Sequence, residues 1–336
     1  MTRPVIQLHR PWAPDPAAET IQVLAAGHGL APHRSVDLLF RRSAPVTEEA
    51  FLAQHGLPAR RGLRLHLLPR AGTAAAAAFW ARVLRWGVRT GGQGIALART
   101  PRYGLRAARW LPRVVAEVHG LGDPDLPALL ACSRAAICNS DGTADGVQRM
   151  APRLPVAVMG NAARGPGPTP TGAGEGIGYV GSLRPGKGLE VLAELARDLP
   201  VVVVTPDESA ARAMSSSWTV EPALEPARVP VRLARFRCLV VPVGPGRFGE
   251  VETCPLKLFD ALASGRPVVV ADAATLHEGL VPRWVPRYRM GDVTSLREAI
   301  DRACASADRF AALRAGVRTW DDRGDELHAF LSEVCP

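Results

Sequence analysis

Lysine is almost missing from this sequence. Only Lys187 and Lys257 occur, although lysine and arginine together number 41. Long apolar runs are missing too. No stretch reaches the roughly eighteen residues that a membrane-crossing helix needs. The first residues, MTRPVIQLHRPW, lack the apolar segment of a signal peptide, so a cytoplasmic location is expected. The six cysteines form no CxxC pair and no Cys/His spacing suited to zinc, so buried free thiols are expected. Three tyrosines and eight phenylalanines, nowhere clustered, supply no stacking platform for a nucleic-acid partner. No GxGxxG follows the first apolar strand, which argues against a dinucleotide oxidoreductase. No DxD lies where it could hold a catalytic metal, and no repeat recurs at a fixed period. Neither metal nor cofactor is therefore expected.

The composition is rich in Ala, Arg, Gly and Pro, as a GC-rich coding bias would produce. Arginine is then the default surface cation, and the net charge of +9 says little about partners. The two lysines say more, because a compact ammonium cannot always be exchanged for a planar guanidinium. Both fall inside the motifs described below. With 47% hydrophobic residues, the chain can form packed cores, and its length suits two α/β domains.

Short apolar runs alternate with helical periodicity, the pattern of parallel-sheet architecture. Strands are expected at 4–8, 36–40, 63–67, 94–98, 114–118, 135–139 and 156–159, with helices at 18–30, 74–88 and from about 143. GPGPTPTGAGEG, at 165–176, can sustain neither helix nor central strand and reads as a linker. Beyond it, strands are expected at 177–180, 201–205, 238–243 and 267–271. Helices are expected at 189–197, 256–264, 295–305 and 320–334. Residues 206–234 give no clear pattern.

Two segments carry chemistry. In YVGSLRPGKG (179–188) a strand runs into a Gly/Pro turn and then a helix, which sets backbone N–H groups at the carboxyl edge of a strand. Arg184 and Lys187 add positive charge, a combination suited to a diphosphate. An ordinary tight turn with two exposed cations would look the same. In FGEVETCPLKLFDALASGRPVVV (248–270), Glu252 and Asp260 are separated by seven residues. Leu256, Phe259 and Ala263 have helical spacing, Gly265 suits the helix end, and Pro255 suits its first position. Two carboxylates around a helix start would repel a phosphate unless they bind hydroxyls. Acidic residues near a helix start are also simply good helix chemistry.

Together these segments resemble retaining glycosyltransferases of the GT-B fold, of the GT4 type (glycosyl transferases group 1). VGSLRPGKG matches that family's phosphate loop. Glu252-x7-Asp260, inside ETCPLKLFDALASGRPVV, matches its paired-acid element. MGDVTSLREAI (290–300), TWDDRGDELHAFL (319–331), AAICNSDGTADGV (135–147) with Gly160-Asn161, and VVAEVHG (114–120) match weaker blocks. The resemblance covers roughly residues 95 to 333.

The resemblance implies two Rossmann-like domains with parallel sheets facing across a cleft. These are an acceptor-binding domain at 1–161, a linker at 162–176, a nucleotide-sugar domain at 177–318 and a returning helix at 319–336. The implied activity is hexosyl transfer (EC 2.4) with retention, from a UDP- or GDP-sugar to a glycan, glycolipid or natural product. His119 and Glu252 would be the catalytic residues, the first near the anomeric carbon and the second on the sugar hydroxyls. Gly181, Arg184, Lys187, Leu256, Lys257 and Asp260 would bind the donor, with Asp260 on the ribose. No acceptor residue is identified. Several positions depart from the family pattern. Asp260 is a methylene shorter than the usual Glu. Ser182 stands where Arg is frequent. HRPWAPDPAAET (9–20) replaces a Gly-Gly loop, and Pro255 lacks a backbone donor.

Other readings exist. His119 could be a hydrogen-bonded structural residue, and Glu250 rivals Glu252 except in spacing. FWARVLRWGVR (79–89) could lie on an anionic membrane at the inner face, or be a domain helix with its arginines in water. The strand alternation favours the domain helix. A non-enzymatic basic protein that binds nucleic acid or membrane, and a GT-B relative without transfer activity, are the alternative functions.

Overall fold

The structure, a computed structural model, describes residues 2–69, 72–277 and 279–336, and every side chain among them except that of Phe248. It forms two compact units, Met1–Asn161 with Trp320–Pro336, and Ala162–Thr319.

The first unit contains β1 (Val5–Gln7), β2 (Trp12–Ala13), β3 (Val36–Arg42), β4 (Leu63–Leu68), β5 (Ile95–Ala98), β6 (Val114–Val118), β7 (Ala135–Cys138) and β8 (Val156–Val158). The strands pair in parallel in the order β4-β3-β1-β5-β6-β7-β8, and β2 joins only the last residues of β3. Every residue of β5, β6 and β7 is buried, as expected of strands covered on both faces. The sequence order reverses at β1 and β5, so their carboxyl ends form a topological switch point, where open α/β sheets bind ligands.

Helix α1 spans Ala18–Leu30, and helix α2 spans Gly72–Arg89. On α2, Ala75, Phe79, Val83 and Trp86 form the buried stripe. Each of the larger side chains contributes about 1.5–3 kcal/mol by leaving water. The Trp86 indole donates to Asp37 (3.1 Å). Trp80 packs edge-on against Tyr103 and Trp110 and lies beneath the Arg106 guanidinium. Most of the apolar surface that invited a membrane reading is thus core, while Leu84 and Val88 are exposed. Among the described residues, no helix is long and apolar enough to cross a membrane.

The C-terminal helix, Trp320–Val334, packs on α1 within this unit. The crossing depends on two glycines. A Cβ on Gly29 would sit 2.0 Å from the Trp320 carbonyl oxygen, and one on Gly324 would sit 2.1 Å from that of Gly29. Leu327 and Leu331 then extend the core.

The second unit contains β9 (Glu175–Val180), β10 (Val201–Thr205), β11 (Trp218–Pro222), β12 (Phe236–Val241), β13 (Val268–Ala271) and β14 (Arg287–Tyr288). Their order is β11-β10-β9-β12-β13-β14, all parallel, with its own switch point between β9 and β12. Helix α3 is Leu256–Ala263.

Several expectations need correction. The segment expected as a linker is laid on the second unit. Gly167 N donates to Ala263 O (3.3 Å), and Arg266 donates to the carbonyls of Thr171 and Gly172 (both 2.8 Å). Irregular Gly/Pro backbone can follow a surface as readily as it can hang free. The helix expected at 189–197 is only Glu190–Leu195. Residues 206–234 contain helix Glu208–Met214 and the edge strand β11.

Candidate functional site

The phosphate-loop segment leaves β9 at the switch point of the second unit. Gly188 has φ 66°, and a Cβ there would lie 2.9 Å from the carbonyl of Val243. Only glycine permits both this conformation and this approach. Gly244 N donates to Gly186 O (3.0 Å), tying the loop after β9 to the loop after β12. The six-residue helix that follows is too short to offer much of a dipole. The helix terminus in this region is instead that of α3. Pro255 occupies its N-cap in extended conformation, rather than the first helical position expected, and no side chain caps it. Leu258 N turns back to Pro255 O (3.1 Å), and the amides of Leu256 and Lys257 before it are left for a ligand.

The two lysines converge here. Lys257 Nζ donates to Tyr179 Oη (3.2 Å) and lies 4.3 Å from the centre of its ring. Burial, and then the charge of Lys187, hold the Lys257 ammonium well below the ordinary lysine range. Burial and then Arg184 lower Lys187. Positive charges held this close repel one another, and a bound anion relieves that repulsion. The Tyr179 hydroxyl donates to Ser182 O (2.7 Å), so one side chain fixes both the loop and Lys257. Burial raises its pKa and keeps it neutral. Sequence reasoning missed Tyr179, whose only signal was its place two residues before the loop glycine, Gly181.

The other expected donor residues fall as follows. Gly181 (φ 149°) follows β9, and a Cβ there would lie 3.1 Å from Tyr179 Oη. Arg184 is exposed on the loop. Leu256 opens α3, and Asp260 lies one turn further on the same face. Asp260 is already engaged. Its Oδ2 accepts from Arg164 Nη2 (2.8 Å), a pairing that nothing in the sequence signalled. Glu252 sits at the end of a π-helical turn, Phe248–Glu252, in what was expected to be plain loop. It pairs with Arg247 Nε (2.8 Å), an exposed partner that a ligand can displace cheaply. Glu250 is exposed and accepts from Gly246 N (3.3 Å).

His119 belongs to the first unit and follows β6, near that unit's switch point. Around it is a buried polar cluster. Gln22 donates to Asn161 Oδ1 (2.6 Å) and accepts from Arg99 (2.7 Å). Gln7 donates to Glu117 (2.6 Å), and Arg323 Nη2 lies 3.5 Å from the same carboxylate. His119 Nε2 is 3.4 Å from Glu117 Oε1, and its Nδ1 is 3.5 Å from the Gln22 amide. Burial and then Arg99 push His119 down to about 4 despite Glu117, so the ring is neutral at pH 7. Burial would raise the Glu117 carboxyl, but its neighbours outweigh burial and hold it well below the usual range. With His119 neutral, Arg99 and Arg323 supply the compensating charge. The Gln22 amide nitrogen faces Nδ1, and Nε2 is buried without a hydrogen-bond partner among the described residues. Among the described residues, no His/Cys/Asp/Glu group suits a metal ion.

Two Rossmann-like units, with the last helix returned to the first, define the GT-B fold. Solved structures share it over nearly the whole chain. HepE from Anabaena, in complex with UDP-glucose, is 14% identical, with a TM-score of 0.68 over 98% of this chain and 99% of its own. Sucrose-phosphate synthase from Thermosynechococcus elongatus is 15% identical, with a TM-score of 0.65 over 99% and 96%. TarM from S. aureus, in complex with fondaparinux, α-GlcNAc-glycerol and UDP, is 8% identical, with a TM-score of 0.66 over 99% and 97%. No model of a protein family matches the chain, and no curated protein sequence matches it.

Proposed function

We propose that this chain is a retaining glycosyltransferase of the GT4 type that moves a sugar from a nucleoside diphosphate sugar to a glycan, glycolipid or small-molecule acceptor. The observation that carries this reading is the convergence of both lysines of the chain on a glycine-lined switch point beside an uncapped helix start. That arrangement suits a departing diphosphate, whose growing charge is the main barrier to breaking a glycosidic phosphate bond. The UDP and UDP-glucose complexes of structural neighbours support it.

In this reading Lys187, Lys257, Arg184 and the first amides of α3 hold the diphosphate. Asp260, one turn along, meets the ribose. Glu252 meets hydroxyls of the sugar after leaving Arg247. His119, neutral in its buried cluster, is the second catalytic residue of this reading. The cations do the electrostatic work, so the reaction needs no metal and proceeds unchanged in EDTA. The protein acts in the cytoplasm.

The test is calorimetric and thermal-shift titration with UDP-, GDP-, ADP- and TDP-sugars. Binding of one of them raises the melting temperature by mass action. Lys187→Ala removes a charge-assisted contact of about 1.5–3 kcal/mol and weakens binding about ten- to a hundredfold. No response to any of the four sugars sinks the reading.

A further inference from the structure

Between Glu49 and Glu117 the chain has twelve arginines and no carboxylate. At its average of 32 carboxylates in 336 residues, about six would fall there. A coding bias acts on the whole chain, so it does not explain an absence confined to this stretch. Folding gathers part of the stretch on one surface of the first unit.

Helix α2 turns Phe79, Val83 and Trp86 inward, and what it leaves outside is ordered. Trp80, Leu84 and Val88 follow one another at four-residue steps along a single face. Leu84 is 49% exposed and Val88 83%. Trp80 joins this stripe to the next segment, since its ring centre lies 5.9 Å from that of Tyr103 and 5.5 Å from that of Trp110. Trp110 is itself 39% exposed. Arginines surround the stripe. Arg85, Arg102, Arg106 and Arg109 are exposed, and together with half-buried Arg82 they make no ion pair among the described residues. Arg89, by contrast, is engaged by the buried Asp37 (2.9 Å).

A second copy of the chain covering this face would set arginine against arginine across a twofold axis, with no carboxylate from this stretch to answer them. A nucleic acid would answer the arginines and leave Leu84 and Val88 in water. An anionic bilayer answers both. Its phosphates meet the guanidinium groups, which strengthens partitioning roughly fivefold for each cation. Its acyl boundary takes the apolar side chains, and tryptophan suits the interface between the two. Because Phe79, Val83 and Trp86 anchor α2 in the core, the helix is formed in advance and docking orders no backbone.

We propose that α2 and the adjoining segment Pro101–Trp110 form a docking face for an anionic lipid bilayer, in which Leu84, Val88 and Trp110 enter the interface and the unpaired arginines meet lipid phosphates. No donor residue takes part.

Sedimentation of the full chain with vesicles tests this, using phosphatidylcholine alone and phosphatidylcholine with phosphatidylglycerol. The expected result is binding to the mixed vesicles at least about tenfold stronger than to phosphatidylcholine, declining as salt is added. Leu84→Ser with Val88→Ser, at exposed positions that the fold does not need, weakens binding by about tenfold. Arg85→Glu with Arg109→Glu removes two cations and weakens it by at least about twenty-five-fold. Failure to sediment with the mixed vesicles overturns the proposal, as does equal binding to phosphatidylcholine alone. Undiminished binding by either double variant also overturns it. Binding of a single-stranded RNA without vesicle binding assigns the face to nucleic acid instead. A dimer in gel filtration that Leu84→Ser with Val88→Ser dissociates, again without vesicle binding, assigns it to a second copy.

Discussion

Lys257 and Tyr179 form an ammonium–phenol contact in which Nζ is 3.2 Å from the hydroxyl oxygen and 4.3 Å from the ring centre. The tyrosine in turn donates to the Ser182 carbonyl, so the cation and the loop are positioned by one ring. A lysine carries about 2 kcal/mol of rotamer entropy, and fixing it before the ligand arrives removes that cost from binding.

Tyr179→Phe tests this role directly. It keeps the ring under the ammonium and deletes the hydroxyl. The expected outcome is native circular dichroism with donor affinity weakened about fivefold, equivalent to one hydrogen bond of about 1 kcal/mol. Lys257→Met should lose more, because it removes the charge itself. Unchanged calorimetric affinity in both variants would remove the pair from the site.

Donor binding should depend on pH through the lysines. Lys187 and Lys257 are both lowered in the free protein, and the bound diphosphate favours their protonated forms. Affinity is therefore full below the lowered pKa values and falls as pH rises through them, earlier than for a lysine at the ordinary 10.5. Binding also takes up protons near this transition, so the calorimetric enthalpy varies with buffer ionisation heat. Stability of the free protein runs the other way. The unfolded lysines hold protons that the folded ones have lost, so stability rises with pH between the lowered pKa and 10.5.

Gly324→Ala should destabilise the first unit. The added methyl would fall 2.1 Å from the Gly29 carbonyl oxygen, which a helix backbone cannot yield without moving. The expected cost is about 1–3 kcal/mol, read as an earlier urea transition of the first unit while the second keeps its own. A coincident wild-type curve would contradict the close helix crossing.

Asp37 is 1% exposed and accepts from His66 (2.7 Å), Trp86 (3.1 Å) and Arg89 (2.9 Å). Burial would raise its carboxyl, but His66 and Arg89 outweigh that and lower it. Asp37→Ala should cost about 3 kcal/mol or more by stranding these donors. The carboxylate's contribution is present above the ordinary 3.8 and is lost as pH falls through its lowered value. An Asp37→Ala protein with wild-type urea stability would show that the cluster is dispensable.

Most strands were legible because buried parallel strands are runs of Val, Ile, Ala and Leu, as in VVAEV at β6 and VVVV within β10. Strand β11 was not. It lies at the sheet edge, alternates only weakly and ends on Pro222, so it lacks both a continuous run and a clean alternation. The phosphate loop and the lysines were visible as local chemistry, since glycines and scarce lysines stand out in a linear chain. The partners of the carboxylates were not visible. Arg164 lies 96 positions from Asp260, and Arg323 lies 206 from Glu117. Among so many arginines, spacing singles out neither one. Gly29 and Gly324 were equally silent, because the meaning of each depends on a backbone brought alongside by folding.

The order of the chain has its own consequence. Residues Ala162–Thr319 interrupt the first unit and begin and end side by side, where Ala163 N donates to Arg318 O (2.9 Å). The second unit is thus a guest inserted between a host's body and its final helix. During synthesis the guest has every residue it needs before the host does. Until Trp320–Val334 emerges, α1 presents a bare glycine notch at Gly29, and the His119 cluster lacks Arg323. Emergence of Trp320–Val334 is therefore the step that closes the host.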